Sequence, residues 1–137
     1  MIQFDMKIPM KEEKIDTKEE FNLVKRAQSF NHAGRGLRLF VATTHNAWIH
    51  ITIMLLAFAF GFYFDITTVE WMLLILVSGM VLCAEAINTA IEIDIDLTSP
   101  EYHPYARDTK DVAAGAVLIA SLTALVIGIL IFGHYLF

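Results

Sequence analysis

Lysine and arginine are missing from the middle of this 137-residue chain: none occurs between Arg38 and Arg107, and none after Lys110. Eight of the ten basic residues lie before position 39, and Arg107 and Lys110 are the other two. There is one cysteine, Cys83, so an internal disulfide is excluded. Its simplest reading is a small apolar residue on a helix. Prolines number only three and glycines seven, so long segments run without a strong breaker. No GxxxxGK[ST] occurs, which excludes a phosphate loop of that type, and Gly34-Arg35-Gly36 has no strand before it. Instead these glycines are expected to mark a bend or a close helix contact. His32, His45 and His50 are separated by 13 and 5 residues, which is not metal-ligand spacing on a helix. With a net charge of -5 and basic residues gathered at two places, no nucleic-acid partner is expected.

What is present is apolar. Hydrophobic residues make up 56% of the chain and the mean hydropathy is +0.55, too high for an ordinary soluble domain of this length. They gather in three runs, about 47–64, 69–84 with a polar extension to Asp96, and 112–137. Each approaches the ~20 residues that a membrane-spanning helix needs. The sequence therefore predicts an all-α integral membrane protein of three transmembrane helices, about 45–64, 69–96 and 108–136. Three spans place both basic segments on one side, so the N-terminus and the loop around 95–110 are expected in the cytoplasm. No apolar core follows Met1 closely, and a secretory signal is not expected.

Ahead of the spans, residues 1–16 are expected to be a flexible leader, and 17–137 a single membrane domain. Thr17-Lys18-Glu19-Glu20 fits a capping box. Phe21, Val24, Ala27, Phe30 and Leu37 then recur at helical spacing. This predicts an amphipathic helix, about 17–34, lying on the cytoplasmic membrane surface. Pro100 disfavours helix at Ser99 and should end the second span. The third helix can begin at Pro104 or at Asp108, the latter placing Asp108 and Asp111 favourably in a first turn.

The chemistry gathers on the second span. Glu85, Asn88, Glu92 and Asp96 recur at spacings of 3, 4 and 4. At about 100° per residue, Asn88 lies roughly 60° from Glu85, and Glu92 and Asp96 lie within about 20° of it. Asp94 lies ~180° from Glu85 and belongs to solvent or headgroups. Glu85 follows the uncharged stretch from Trp71 to Ala84. A carboxylate at the centre of a spanning helix costs about 2.5–3.5 kcal/mol, and less near an interface, so such a residue marks a functional site. Glu85 suits a general base that takes a proton from an alcohol. Asn88 can orient a phosphate or that base, and Glu92 suits Mg²⁺. Lys110 can hold a phosphate as a point charge, with Asp111 beside it. Taken alone, Glu92, Asp94 and Asp96 are equally an ordinary wet helix end, and Tyr102 and His103 equally interfacial anchors. Together the set suits phosphoryl transfer.

The segment Glu85-Ala-Ile-Asn-Thr-Ala-Ile-Glu-Ile-Asp-Ile-Asp96 resembles the signature E-x-x-N-[ST]-[SA]-x-E-x-x-V-D of the bacterial membrane diacylglycerol kinase family, with only Ile95 departing. Similarity continues through Ser99–Ala106 and Lys110–Ala120, and upstream through His32–Gly36 and His45–His50. It covers about residues 20–137, and the wording S-P-E-Y-H-P and K-D-V-A-A-G-A-V is nearer the undecaprenol kinase branch. The resemblance implies a helical-bundle homotrimer in the bacterial inner membrane, with sites between subunits. It implies Mg²⁺- and ATP-dependent phosphorylation of a lipid alcohol, undecaprenol first and diacylglycerol as the alternative. By position, Glu85 is then the catalytic base and Asn88 supports it. Glu92 binds the metal. Glu101, Tyr102 and His103 contact the adenosine, and Lys110 and Asp111 the phosphates. Lys25, His32 and Asp96 complete the cofactor-binding set. An ungapped count places Thr44 where the family has a second metal-binding glutamate. A neutral hydroxyl is the weaker ligand, so a catalytically weak or non-catalytic lipid-binding member is the alternative of another class.

Overall fold

The computed structural model describes residues 23–136, with side chains from Gln28 onward. The expected leader, the Thr17 capping box and the Lys25 side chain lie outside the described residues. Four α-helices follow one another: α1 Leu23–Thr43, α2 His45–Phe64, α3 Thr68–Thr98 and α4 Pro104–Leu136. The chain divides into two compact units between Gly34 and Arg35, within α1.

In the first unit, the described segment is helical throughout and exposed from Gln28, with Phe30 open to solvent. The helix assignment of α1 continues through both Gly34 and Gly36 to Thr43. A Cβ on either glycine would meet no described atom within 4 Å. Neither glycine thus serves a close contact among the described residues, and each carries only the cost of glycine in a helix.

The second unit holds α2, α3 and α4, the three helices long and apolar enough to cross a membrane. At 1.5 Å per residue α2 spans about 30 Å, the thickness of a hydrocarbon core, while α3 and α4 run to about 46–50 Å and must project beyond it. Their outward faces carry exposed Ile53, Leu56, Leu76, Leu122 and Ile129, side chains that a lipid solvent accepts at no cost.

A short turn joins α2 to α3. Asp65 takes the left-handed conformation (φ 52°), which aspartate tolerates better than branched residues. The Ile66 N–H donates to the Gly61 carbonyl at 3.2 Å. Gly61 is required here by close approach: a Cβ would fall 2.9 Å from the Trp71 ring. Thr67 then caps α3 through a full capping box with Glu70. The Glu70 carboxylate also accepts from the Tyr135 hydroxyl at 3.0 Å, and His134 Nε2 lies 3.6 Å from it. This fastens the end of α4 to the start of α3. Around the fastening, Ile66, Leu74 and Ile131 form a core with Phe58, Phe64, Trp71 and Phe132 packed against it. Thr67→Ala should cost about 1 kcal/mol through loss of the cap, read as a lowered unfolding midpoint in detergent. The site lies at the other end of α3.

Toward that end α3 packs chiefly on α4 and less on α2. Its buried residues Leu74, Val77, Val81, Glu85 and Asn88 fall at spacings of 3, 4, 4 and 3, the inward stripe of an α-helix. α4 starts at Pro104, the position where proline's missing N–H costs nothing. Asp108 and Asp111 consequently fall beyond the first turn, which holds no acid. Of the two starts the sequence allows, Pro104 is the one taken, and the first-turn acids that an Asp108 start would give are absent.

Candidate active site

Glu85 lies about 26 Å along α3 from Thr68 at 1.5 Å per residue. That is close to the far edge of a 30 Å hydrocarbon layer entered at the helix start. It is only 1% exposed, and Asn88 and Thr89 beside it are 5% and 6% exposed. These three are the buried polar residues among those described. The Asn88 Nδ2 donates to Glu92 Oε1 at 2.9 Å, and the Thr89 hydroxyl donates to the Glu85 carbonyl at 2.9 Å.

Within this cluster two buried oxygens have no partner among the described residues, Glu85 Oε1 and Asn88 Oδ1. The asparagine orientation is forced by chemistry: turning the amide would set Oδ1 against the Glu92 carboxylate. Both orphans are acceptors when Glu85 is ionised. A buried acceptor without a donor is costly, so the pocket calls for a ligand that brings hydrogen or positive charge. An alcohol O–H, an ammonium or a metal ion has that character.

Thr44, at the start of α2, is held by the same cluster. Its Oγ1 lies 3.0 Å from Thr89 Oγ1. Since the Thr89 hydrogen already goes to the Glu85 carbonyl, Thr44 donates and Thr89 accepts. Thr44 makes no side-chain cap to α2. Its hydroxyl thus ties the α1–α2 junction to the carbonyl of Glu85. Sequence reasoning missed this bond; the four-residue spacing of Glu85 and Thr89, which suits a threonine bonding back to its own helix, was the one available signal.

Lys110 pairs with Asp96 across α3 and α4. Asp96 therefore meets the site's cation rather than standing as a free ligand. Asp111 is exposed, with Arg107 Nε 4.0 Å away, and Arg107 is engaged more closely by Asp108 at 2.8 Å. Glu101, Tyr102 and His103 are exposed in the α3–α4 connection. The Tyr102 hydroxyl accepts from Arg107 at 3.4 Å, and His103 Nδ1 accepts from the Tyr105 N–H at 3.2 Å. Among the described residues no hydrogen bond or ion pair joins these three to Glu85, Asn88 or Glu92. His32 is exposed in the first unit.

No group of three or more His, Cys, Asp or Glu side chains poised for a metal occurs among the described residues. The donor set offers Glu92, half-buried and already oriented by Asn88. One oriented carboxylate fits Mg²⁺ arriving with phosphates, because that ion keeps several waters and is bound by one or two carboxylates plus the phosphates themselves.

Residues 31–132 match the model of the prokaryotic diacylglycerol kinase family. The chain is 37% identical over 119 residues to an undecaprenol kinase of Bacillus subtilis, covering 86% of this chain and 97% of that protein. It is 31% identical over 124 residues to a diacylglycerol kinase of Helicobacter pylori, covering 85% and 94%. With a diacylglycerol kinase of Synechocystis it shares 35% over 101 residues, 73% of this chain and 58% of that protein. The match runs through α2, α3 and most of α4, and so takes in the buried acid, its amide neighbour and the Lys110 pair. On this ground the chain belongs to the prokaryotic diacylglycerol kinase family and is a lipid kinase.

Proposed function

We propose that this chain phosphorylates undecaprenol at the cytoplasmic face of the bacterial inner membrane, using MgATP and working as a homotrimer. The observation that carries the reading is Glu85: a carboxylate 1% exposed, with Oε1 unpartnered, at the depth where a lipid hydroxyl meets water. Glu85 takes the proton from the acceptor alcohol as its oxygen attacks the γ-phosphorus, whose bond to the bridging oxygen breaks so that ADP leaves. Asn88 holds Glu92 in place through its Nδ2. Glu92 would hold the Mg²⁺, which would neutralise charge on the phosphates. Lys110 exchanges its Asp96 partner for a phosphate oxygen, with Asp111 alongside, and Glu101, Tyr102 and His103 receive the adenosine. Lys25 and His32 of α1 add contacts to the nucleotide.

The choice of undecaprenol rests on the Bacillus relative, which spans nearly the whole chain. Diacylglycerol is the second acceptor, favoured by the other relatives. Thr44 supports a different second reading, a lipid-binding member with weak or lost transfer. Its hydroxyl is occupied by Thr89 and adds no charge for a metal. The deciding experiment supplies purified protein in mixed micelles with Mg²⁺ and radiolabelled ATP, with each lipid alcohol offered separately. Labelled undecaprenyl phosphate exceeding labelled phosphatidic acid is the expected result. Label in phosphatidic acid alone assigns the diacylglycerol branch. ATP binding with no labelled lipid, beside an active relative, assigns the non-catalytic reading.

A further inference from the structure

Three buried side-chain oxygens have no hydrogen-bond partner among the described residues: Glu85 Oε1, Asn88 Oδ1 and Ser121 Oγ. The first two belong to the site. The third lies on α4, and nothing in the chemistry above uses it. Ser121 also departs from its own helix. Thr109 and Thr123, on either side of it in sequence, turn their hydroxyls back to the carbonyls of Tyr105 and Ile119 at 2.8 and 2.9 Å. That is how a hydroxyl satisfies itself within a helix. Ser121 makes no such bond, so its O–H can donate elsewhere.

The register of α3 and α4 places that donor. Lys110 meets Asp96 near the cytoplasmic end, and Tyr135 meets Glu70 at the other, so the two helices run in opposite directions. Ser121 lies eleven residues on from Lys110, and Glu85 lies eleven back from Asp96. Eleven residues make three turns to within about 20°. Ser121 therefore shares a face with Lys110, and Glu85 shares one with Asp96. Helices that meet at the first pair face each other again at the second, about 17 Å deeper. Counting from the far end agrees to one residue: Glu85 is fifteen from Glu70, and Ser121 is fourteen from Tyr135. Asn88 is one turn from Glu85 on the same buried stripe of α3.

The three atoms complement one another. Ionised Glu85 only accepts, and so does Asn88 Oδ1, whose amide nitrogen is committed to Glu92. Ser121 donates. No two of them are within hydrogen-bond reach. A water has two hydrogens to give and accepts one from Ser121, and a buried water typically has about three polar partners. We propose that a single water bridges Ser121 Oγ, Glu85 Oε1 and Asn88 Oδ1, and that Ser121 thereby acts as a positioning residue for the base. The last torsion of a glutamate is broad when nothing holds it. A bond reaching it from a second helix fixes the plane of the carboxylate. A carboxylate oxygen accepts two hydrogen bonds, so Oε1 stays open to the acceptor alcohol. The inference rests on the kinase reading above, with Glu85 as base.

The test measures turnover and unfolding of the full chain in detergent micelles, with radiolabelled ATP, Mg²⁺ and undecaprenol. Ser121→Ala should lower kcat by about tenfold, the scale of one hydrogen bond to a charged group. The KM for ATP and for the lipid alcohol should not change. Ser121→Asn carries an NH₂ that can replace the water's hydrogens, and it should hold kcat within about threefold of the parent. Ser121→Leu, of similar size, should fall with Ser121→Ala. A packing role alone predicts the reverse order, since a buried amide without a partner is the costlier change. In a Glu85→Gln background Ser121→Ala should lower the rate no further, because the group it positions is gone. If the two larger variants fail to fold, Ser121→Ala and the double variant decide. Ser121→Ala within about twofold of the parent, Ser121→Leu faster than Ser121→Asn, or losses that multiply in the double variant would each overturn the proposal and leave the kinase reading standing. If the parent transfers no phosphate, unfolding midpoints decide. Losses from Ser121→Ala and Glu85→Gln that fall short of additive uphold the bridge and reject the kinase reading of it, and additive losses reject the bridge.

Discussion

Glu85→Gln should lower phosphoryl transfer by about 10²–10⁴-fold, the usual contribution of a general base, while ATP binding stays near that of the unaltered protein. The substitution keeps the shape of a side chain that is 1% exposed, so the packing around it is preserved and loss of fold is not the expected cause of loss of rate. What changes is the atom at the unpartnered Oε1 position. A carboxylate there accepts a proton. An amide cannot, and its NH₂ would compete for the Asn88 Oδ1 acceptor nearby on the same helix face. The measurement is turnover of radiolabelled ATP onto lipid alcohol alongside equilibrium nucleotide binding. Turnover within a few fold of the parent would remove Glu85 from the role of base and leave it a buried structural acid.

The same residue shows how far the sequence could be read. Three apolar runs and an acid embedded in one of them are statements about composition and period, and both survive into three long helices and a buried Glu85. Asn88 and Glu92 sit four residues apart on one helix, so their hydrogen bond follows from helical geometry alone. The α4 start went to Pro104 because a proline at the first helical position outweighs the weaker preference of acids for a first turn. Gly34 and Gly36 permit a bend without ending a helix, and α1 runs through both. The Thr67 capping box was written in the sequence as Thr67-Thr68-Val69-Glu70 and was passed over amid apolar neighbours. The tie from Glu70 to Tyr135 joins positions 65 apart, and that from Thr44 to Thr89 joins positions 45 apart. Such features depend on how helices meet, and no residue type encodes them.

Thr44→Glu is the second large expected effect, a reduction of about tenfold in the Mg²⁺ concentration for half-maximal turnover, since metal affinity follows the number of charged ligands. Thr44 stands where its hydroxyl reaches Thr89, which in turn bonds the Glu85 carbonyl. A glutamate rooted there extends two bonds further along the inward face of α3, where Glu92 is the carboxylate already in place. Two anions without a cation repel, so the variant should also be less stable than the parent in chelator and recover on adding Mg²⁺. Thr44→Val separates the two roles of this position. It removes the Thr44–Thr89 bond, worth about 1 kcal/mol, without adding charge. It should lower the unfolding midpoint and leave the Mg²⁺ dependence of turnover alone. If Thr44→Glu leaves both the Mg²⁺ requirement and the chelator sensitivity where they were, the metal is held away from the α1–α2 junction. Position 44 would then be a structural tie, and Glu92 with the phosphates and water would be the whole of the metal site.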